Sequence, residues 1–175
     1  MSSKEAYYLG LDPGLSITGY GVLRSFQSAP SLVEAGVIKI SRDQPLAHRL
    51  KELYDGISEV VRAYPLDAIA IEQLYSHYER PRTAILMGHA RGVLCLAAAE
   101  AGIDVHSYES TKVKSLLTGN GRAPKDQMQR AIQMQLQLKS PPDPPDVADA
   151  LAIALCHHYS TRPIAQLLSK NRKTK

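Results

Sequence analysis

At 175 residues the chain is long enough for one complete hydrophobic core and short for two. Its 44% apolar and 22% charged residues are those of a water-soluble domain. No apolar stretch reaches membrane-spanning length and no leader pattern is visible, so a membrane role is excluded and a cytoplasmic one is expected.

Tyr7 to Leu11 is a short apolar run of the kind that forms a central strand buried on both faces. It stops at Asp12, and Pro13-Gly14 turns the chain into a second run, Thr18 to Arg24. Ser31 to Ile40 reads as a third strand, so the first three form a meander. Pro45 then precedes a helix whose apolar stripe is Leu50, Leu53, Tyr54, Ile57, Val60, Val61 and Tyr64, closed by Tyr64-Pro65. Leu66 to Ile71 is a fourth strand, and it too ends in a carboxylate, Glu72. A polar and aromatic loop follows through Arg80, then a long apolar helix from Thr83 to Ala101, in which Gly88 and Gly92 would admit a close neighbour. Asp104 to Tyr108 is a fifth strand, and Ser110 is placed to cap a helix running to Leu117. After the loop from Thr118 to Ala123, Pro124 opens a helix to about Leu138. The Pro-rich segment from Ser140 to Pro145 leads into the last helix, from Asp146 to about Ser160. The order predicts an α/β fold, a mixed five-stranded sheet with helices on both faces. Residues 1–160 form its single domain, and residues 161–175 a basic tail.

Charge and acid placement carry the functional content. The net charge is +4, and it is concentrated: residues 110–139 hold six basic residues against one acid, and residues 161–175 hold five against none. Such patches suit a polyanionic partner. Cys95 and Cys156 lie in apolar helical contexts without metal-ligand spacing, as buried thiols of a reducing compartment do. Asp12 and Glu72 end strands where open α/β sheets bind ligands, although a carboxylate capping its own turn would leave the same trace at Asp12. Asp146 and Asp149, three apart, share a face in the first turn of the last helix. There the helix dipole alone could account for them. That helix is apolar nearly all round, however, and a buried carboxylate needs a partner. Four carboxylates without sulfur or an evident imidazole are a ligand set for Mg²⁺ or Mn²⁺. Beside basic flanks this points to phosphodiester chemistry.

Four motifs, in order and spacing, closely resemble the RuvC family of bacterial Holliday junction resolvases: Leu9-Gly-Leu-Asp12-Pro-Gly14 with Thr18-Gly-Tyr-Gly21, Ala70-Ile-Glu72-Gln73, Ala90-Arg91-Gly92-Val93, and Asp146-Val-Ala-Asp149-Ala-Leu-Ala-Ile-Ala154. The resemblance spans about Tyr7 to Tyr159. It implies an RNase H-like fold, a homodimer, and symmetric Mg²⁺-dependent nicking of four-way DNA junctions, with Mn²⁺ as a substitute and two ions per site. It makes Asp12, Glu72, Asp146 and Asp149 catalytic metal ligands and places Lys114 and Lys125 beside the site. It also implies work with the RuvA and RuvB branch-migration complex. Lys112 and Arg122, in the same basic stretch, join Lys114 and Lys125 as expected phosphate contacts. Tyr75 stands where the best-known member has an aromatic Phe that engages junction bases. Asp12-x-Gly14 with Thr18-Gly19 also resembles the phosphate loop of actin-like ATPases, which need two such domains where this length holds one. A junction-binding protein without activity is the other reading.

Overall fold

In a computed structural model describing residues 5–26, 29–74 and 81–161, five strands form a single sheet in the order β3-β2-β1-β4-β5. The strands are β1 (Ala6–Asp12), β2 (Ile17–Phe26), β3 (Ala29–Lys39), β4 (Ala68–Glu72) and β5 (Val105–Tyr108). β1, β2 and β3 are an antiparallel meander, whereas β4 and β5 run parallel to β1. The helices are α1 (Leu46–Ala63), α2 (Pro81–Glu100), α3 (Ser110–Thr118), α4 (Lys125–Leu136) and α5 (Pro145–Ser160).

Side-chain alternation along the strands assigns the two faces. Leu9, Leu11, Ile69 and Ile71 point to one side and pack with Leu53, Ile57 and Val61 of α1 and Ala90, Leu94 and Ala98 of α2. Ala70 and Leu23 point to the other side and meet α3, α4 and α5. The sheet is thus covered on both faces, as the pattern predicts. α5 is buried almost throughout, from Val147 and Ala148 through Ala150–His158.

Several ends differ from the sequence reading. β4 starts at Ala68: the Asp67 amide still donates to the Tyr7 carbonyl (2.8 Å), but the Tyr7 amide goes to the Asp67 carboxylate (2.9 Å) and not to a backbone carbonyl, which ends the ladder there. Pro124 occupies the N-cap of α4 and not its first turn. α3 begins at Ser110, with Glu109 at the cap and no side-chain capping bond, so the predicted Ser110 cap is absent. α5 begins at Pro145, which leaves Asp146 in its first turn and moves Asp149 into the second. The tail beyond Thr161 lies outside the described residues. No described helix is long and apolar enough to cross a membrane.

Candidate active site

Asp12 and Glu72 are the last residues of two adjacent parallel strands whose pairing runs in register up to Leu11 and Ile71. Their side chains are therefore carried to the same edge of the sheet. The turn after Asp12 is held by Thr18, fully buried, whose hydroxyl accepts from the Gly14 amide (3.2 Å) and donates to the Gly14 carbonyl (2.7 Å). That hydroxyl does the work a capping Asp12 would have done.

The other two acids arrive on α5, which lies directly on the backbone of the meander. A Cβ at Gly10 would stand 2.1 Å from the Ala150 carbonyl oxygen and 2.7 Å from the Ala154 amide. One at Gly19 would stand 2.0 Å from the carbonyl oxygen of Asp146. Gly19 is the register partner of Asp12. Two positions without side chains thus seat α5 on the meander, Gly10 under its middle and Gly19 under its start, so that Asp146 lies against the strand position opposite Asp12.

The four carboxylates act on one another. Burial, then the charges of Asp149, Glu72 and Asp146, push the Asp12 carboxyl up to about 7, and Lys125 opposes them. Glu72 is raised by burial and by Asp149, against a hydrogen bond from Ser110 and the charge of Lys114. Asp149 keeps accessible surface, yet the packed surroundings of its carboxyl raise it, opposed by Lys125. Asp146 adds to that rise, and Lys114 counters it. Among the described residues no three acidic, imidazole or thiol groups stand close enough to enclose one ion. The acids therefore share a field without forming a ready-made coordination shell among the described residues.

Beside them lies a cavity of about 260 Å³, with Glu72, Asp149, Lys114 and Lys125 among its polar lining and Met128 and Ile132 among its apolar lining. Lys114 and Lys125 thus line the same cavity as Glu72 and Asp149. Lys112 is turned away, its ammonium 5.1 Å from the Tyr108 ring centroid. Arg122 is exposed in the loop before α4, where its amide donates to Asn120 Oδ1 (2.9 Å). Tyr75 lies outside the described residues. Sequence reasoning missed the orientation of Ser110 toward Glu72. Position alone read it as a cap, and only the course of the chain after β5 shows otherwise.

The model of the family described as crossover junction endodeoxyribonuclease RuvC matches residues 8–157. The chain belongs to the RuvC family. A RuvC from Rhodopirellula baltica is 58% identical over 162 residues, covering 92% of this chain and 91% of that one. A RuvC from Desulforamulus reducens is 42% identical over 149 residues, 85% of this chain and 91% of its own. Among solved structures, Thermus thermophilus RuvC in complex with a Holliday junction substrate superposes with a TM-score of 0.84 at 32% identity, covering 90% and 95% of the two chains. The yeast mitochondrial Holliday junction resolvase Ydc2, 14% identical with a TM-score of 0.61, shares the fold. All four acids fall inside the RuvC match. The mixed sheet clad on both faces is the RuvC, RNase H-like arrangement that the sequence motifs imply.

Proposed function

We propose that this RuvC-family chain resolves four-way DNA junctions by symmetric, metal-dependent nicking, with Asp12, Glu72, Asp146 and Asp149 as the metal ligands. The observation that carries this reading is the meeting of the acids, with Asp12 and Glu72 at the ends of paired strands and Asp146 seated on Gly19, the position opposite Asp12; burial and the three other acids accordingly push the Asp12 carboxyl up to about 7. An all-oxygen donor set whose negative charge two lysines offset only in part fits a hard divalent cation, Mg²⁺ or Mn²⁺, and two ions per site suit four carboxylates. Bound there, such ions supply a water of lowered pKa and a counter-charge for the departing 3′-oxygen.

The chain's own groups do the rest. Lys114 and Lys125, which line the cavity together with Glu72 and Asp149, offset the carboxylates in part before DNA arrives and can hold the phosphate strand against them afterwards. Arg122 extends the electropositive path, and the basic residues within 162–175 add positive charge to the chain; such contacts set affinity and register without reading sequence. Tyr75, three residues past Glu72, is the candidate to stack on a base unpaired at the crossover.

A two-fold junction calls for a two-fold protein. α2 supports a homodimer through one stripe: Ile85 is 60% and Leu96 53% exposed, and a Cβ at Gly88 or Gly92 would meet nothing within 4 Å. Those glycines therefore serve no packing among the described residues and leave a surface that a second copy can approach closely. RuvA and RuvB are the proposed working partners, on the family resemblance.

The test is substitution of each acid by its amide. Nicking of a synthetic four-way junction should vanish while junction affinity stays within about threefold, because affinity rests on cations along the backbone. Mg²⁺ and Mn²⁺ should support cleavage, and Ca²⁺, with looser coordination, binding alone. Loss of binding in parallel with nicking, or turnover in a chelator, refutes the assignment.

A further inference from the structure

Glu72 differs from the other three acids in being the longest, with one more rotatable bond between backbone and carboxylate. Asp12 and Asp146 are fixed close to their backbones by the strand end and by α5 lying on Gly19. What fixes Glu72 comes from the neighbouring strand. The Gln73 amide donates to the Tyr108 carbonyl (2.8 Å), and Glu72 is the register partner of Tyr108. Past Tyr108 a single extended residue, Glu109, leads into α3 with Ser110 as its first residue. Ser110 is thereby delivered beside Glu72, and both line the same cavity.

A serine at the start of a helix ordinarily spends its hydroxyl on the free amides of the first turn. Here the cap position belongs to Glu109 and no side-chain capping bond forms. The Ser110 side chain instead lines the cavity beside Glu72, where it draws the pKa of that carboxyl down, and Lys114, four residues on and on the same face of α3, adds its charge toward the same carboxylate. The start of α3 thus places one hydroxyl donor and one cation in the cavity that Glu72 lines.

We propose that Ser110 is a positioning residue for the nuclease reaction, its hydroxyl holding the Glu72 carboxylate in the orientation from which it ligates the cation. This rests on the metal-dependent reading above. A hydroxyl in this role acts through Glu72 and touches neither DNA nor the reacting phosphate. Removing such an outer support of a ligand typically costs ten- to a hundredfold in metal affinity or rate.

The experiment compares Ser110→Thr with Ser110→Val in the full chain. The two side chains match in size and branching and differ in the hydroxyl, and the melting temperature reads any difference in packing. Mn²⁺ affinity is read from the EPR signal of free Mn²⁺, alongside single-turnover nicking, junction affinity and melting temperature. Ser110→Thr should bind Mn²⁺ and nick within about threefold of wild type. Ser110→Val should lose about tenfold or more in Mn²⁺ affinity and in nicking, with junction affinity unchanged. Equal Mn²⁺ affinity and equal nicking in the two variants overturn the proposal. Glu72→Gln separates this from the parent reading. If it abolishes Mn²⁺ binding and nicking while Ser110→Val spares both, Ser110 alone is wrongly assigned. If Glu72→Gln binds Mn²⁺ and nicks as wild type does, both fall.

Discussion

Gly19→Ala isolates the device that brings the two halves of the acid cluster together. An added Cβ would stand 2.0 Å from the Asp146 carbonyl oxygen, 2.5 Å from its carbonyl carbon and 3.1 Å from its Cβ. All three atoms belong to one residue and two are backbone, so no side-chain rotation relieves the contact. Restoring an ordinary separation of 3.4 Å from 2.0 Å requires a displacement of about 1.4 Å between β2 and the start of α5. Farther along, α5 rests on Gly10 through Ala150 and Ala154, so it should pivot there and lift its first two turns, with Asp146 and Asp149, away from Asp12. A misplacement of about 1 Å costs on the order of a hundredfold in rate. The overpacking itself should cost about 1–3 kcal/mol of stability, leaving the protein folded. Single-turnover nicking of a synthetic four-way junction, at saturating protein, reads the rate; urea unfolding and a junction-binding titration read the rest. The expected result is a loss of nicking near two orders of magnitude, with a modest fall in stability and junction affinity intact. Nicking within threefold of wild type, at wild-type stability, would show that the site does not depend on the seat of α5.

His157 is 2% exposed, hydrogen-bonded through Nδ1 to the Tyr108 hydroxyl (2.8 Å), and held down to about 4 by burial and then by the charge of His106. The unfolded chain takes up this proton below about 6.5 while the folded chain resists until about 4, so stability is full above pH 6.5 and falls by about 3 kcal/mol down to pH 4; His157→Gln should flatten that part of the urea-derived curve, and an unchanged slope would refute it. Ile85→Asp combined with Leu96→Asp should convert a dimer to a monomer in light scattering, and a wild-type monomer that still makes paired nicks would remove the two-fold reading. Tyr75→Ala should cost roughly 1–3 kcal/mol, seen mainly in cleavage, and Tyr75→Phe close to nothing; a Phe variant as slow as Ala would mean that the hydroxyl and not the ring matters.

The sequence carried the architecture because each strand and helix shows its period in side chains that meet the core. Leu9 and Leu11 against Gly10, and Ile69 and Ile71 against Ala70, mark two buried faces of β1 and β4 directly. The apolar stripe of Leu53, Ile57 and Val61 did the same for α1. Helix beginnings were less legible, because their signals compete. Pro144, Pro145 and Asp146 each fit the start of α5, and the observed choice shifts Asp149 out of the first turn by one residue. The four acids could be named from motif spacing, yet their mutual arrangement could not. It depends on α5 pressing onto Gly10 and Gly19, and an absent side chain reads equally well as a turn or a weak strand. Ser110 was misread for a related reason: a hydroxyl at a helix start has two outlets, and which one it takes depends on the strand beside it.

The acid cluster is built against its own electrostatics, and the sign of that cost distinguishes a functional Asp12 from a structural one. Its carboxyl is raised from 3.8 to about 7, first by burial and then by Asp149, Glu72 and Asp146. For an acid raised on folding, the unfolded chain releases its proton near 3.8 while the folded chain holds on until about 7. Stability is therefore lost as pH climbs through that window, by about 4 kcal/mol once it is crossed. Removing the charge at neutral pH should relieve much of this. Asp12→Asn is thus expected to stabilise the metal-free protein by about 2–4 kcal/mol in urea unfolding at pH 7.5, while abolishing nicking. The gain should shrink toward nothing at pH 4, where the wild-type carboxyl is protonated. Mg²⁺ should close the gap from the other side, raising wild type and leaving Asp12→Asn unmoved, since ligand binding stabilises only the chain that binds it. A carboxylate serving its own turn would behave oppositely. The turn is already held by the Thr18 hydroxyl, so the geometry leaves Asp12 little to lose. An Asp12→Asn protein less stable than wild type in chelator would show that the carboxylate supports the fold, and the reading of these four acids as a strained, cation-seeking site would go with it.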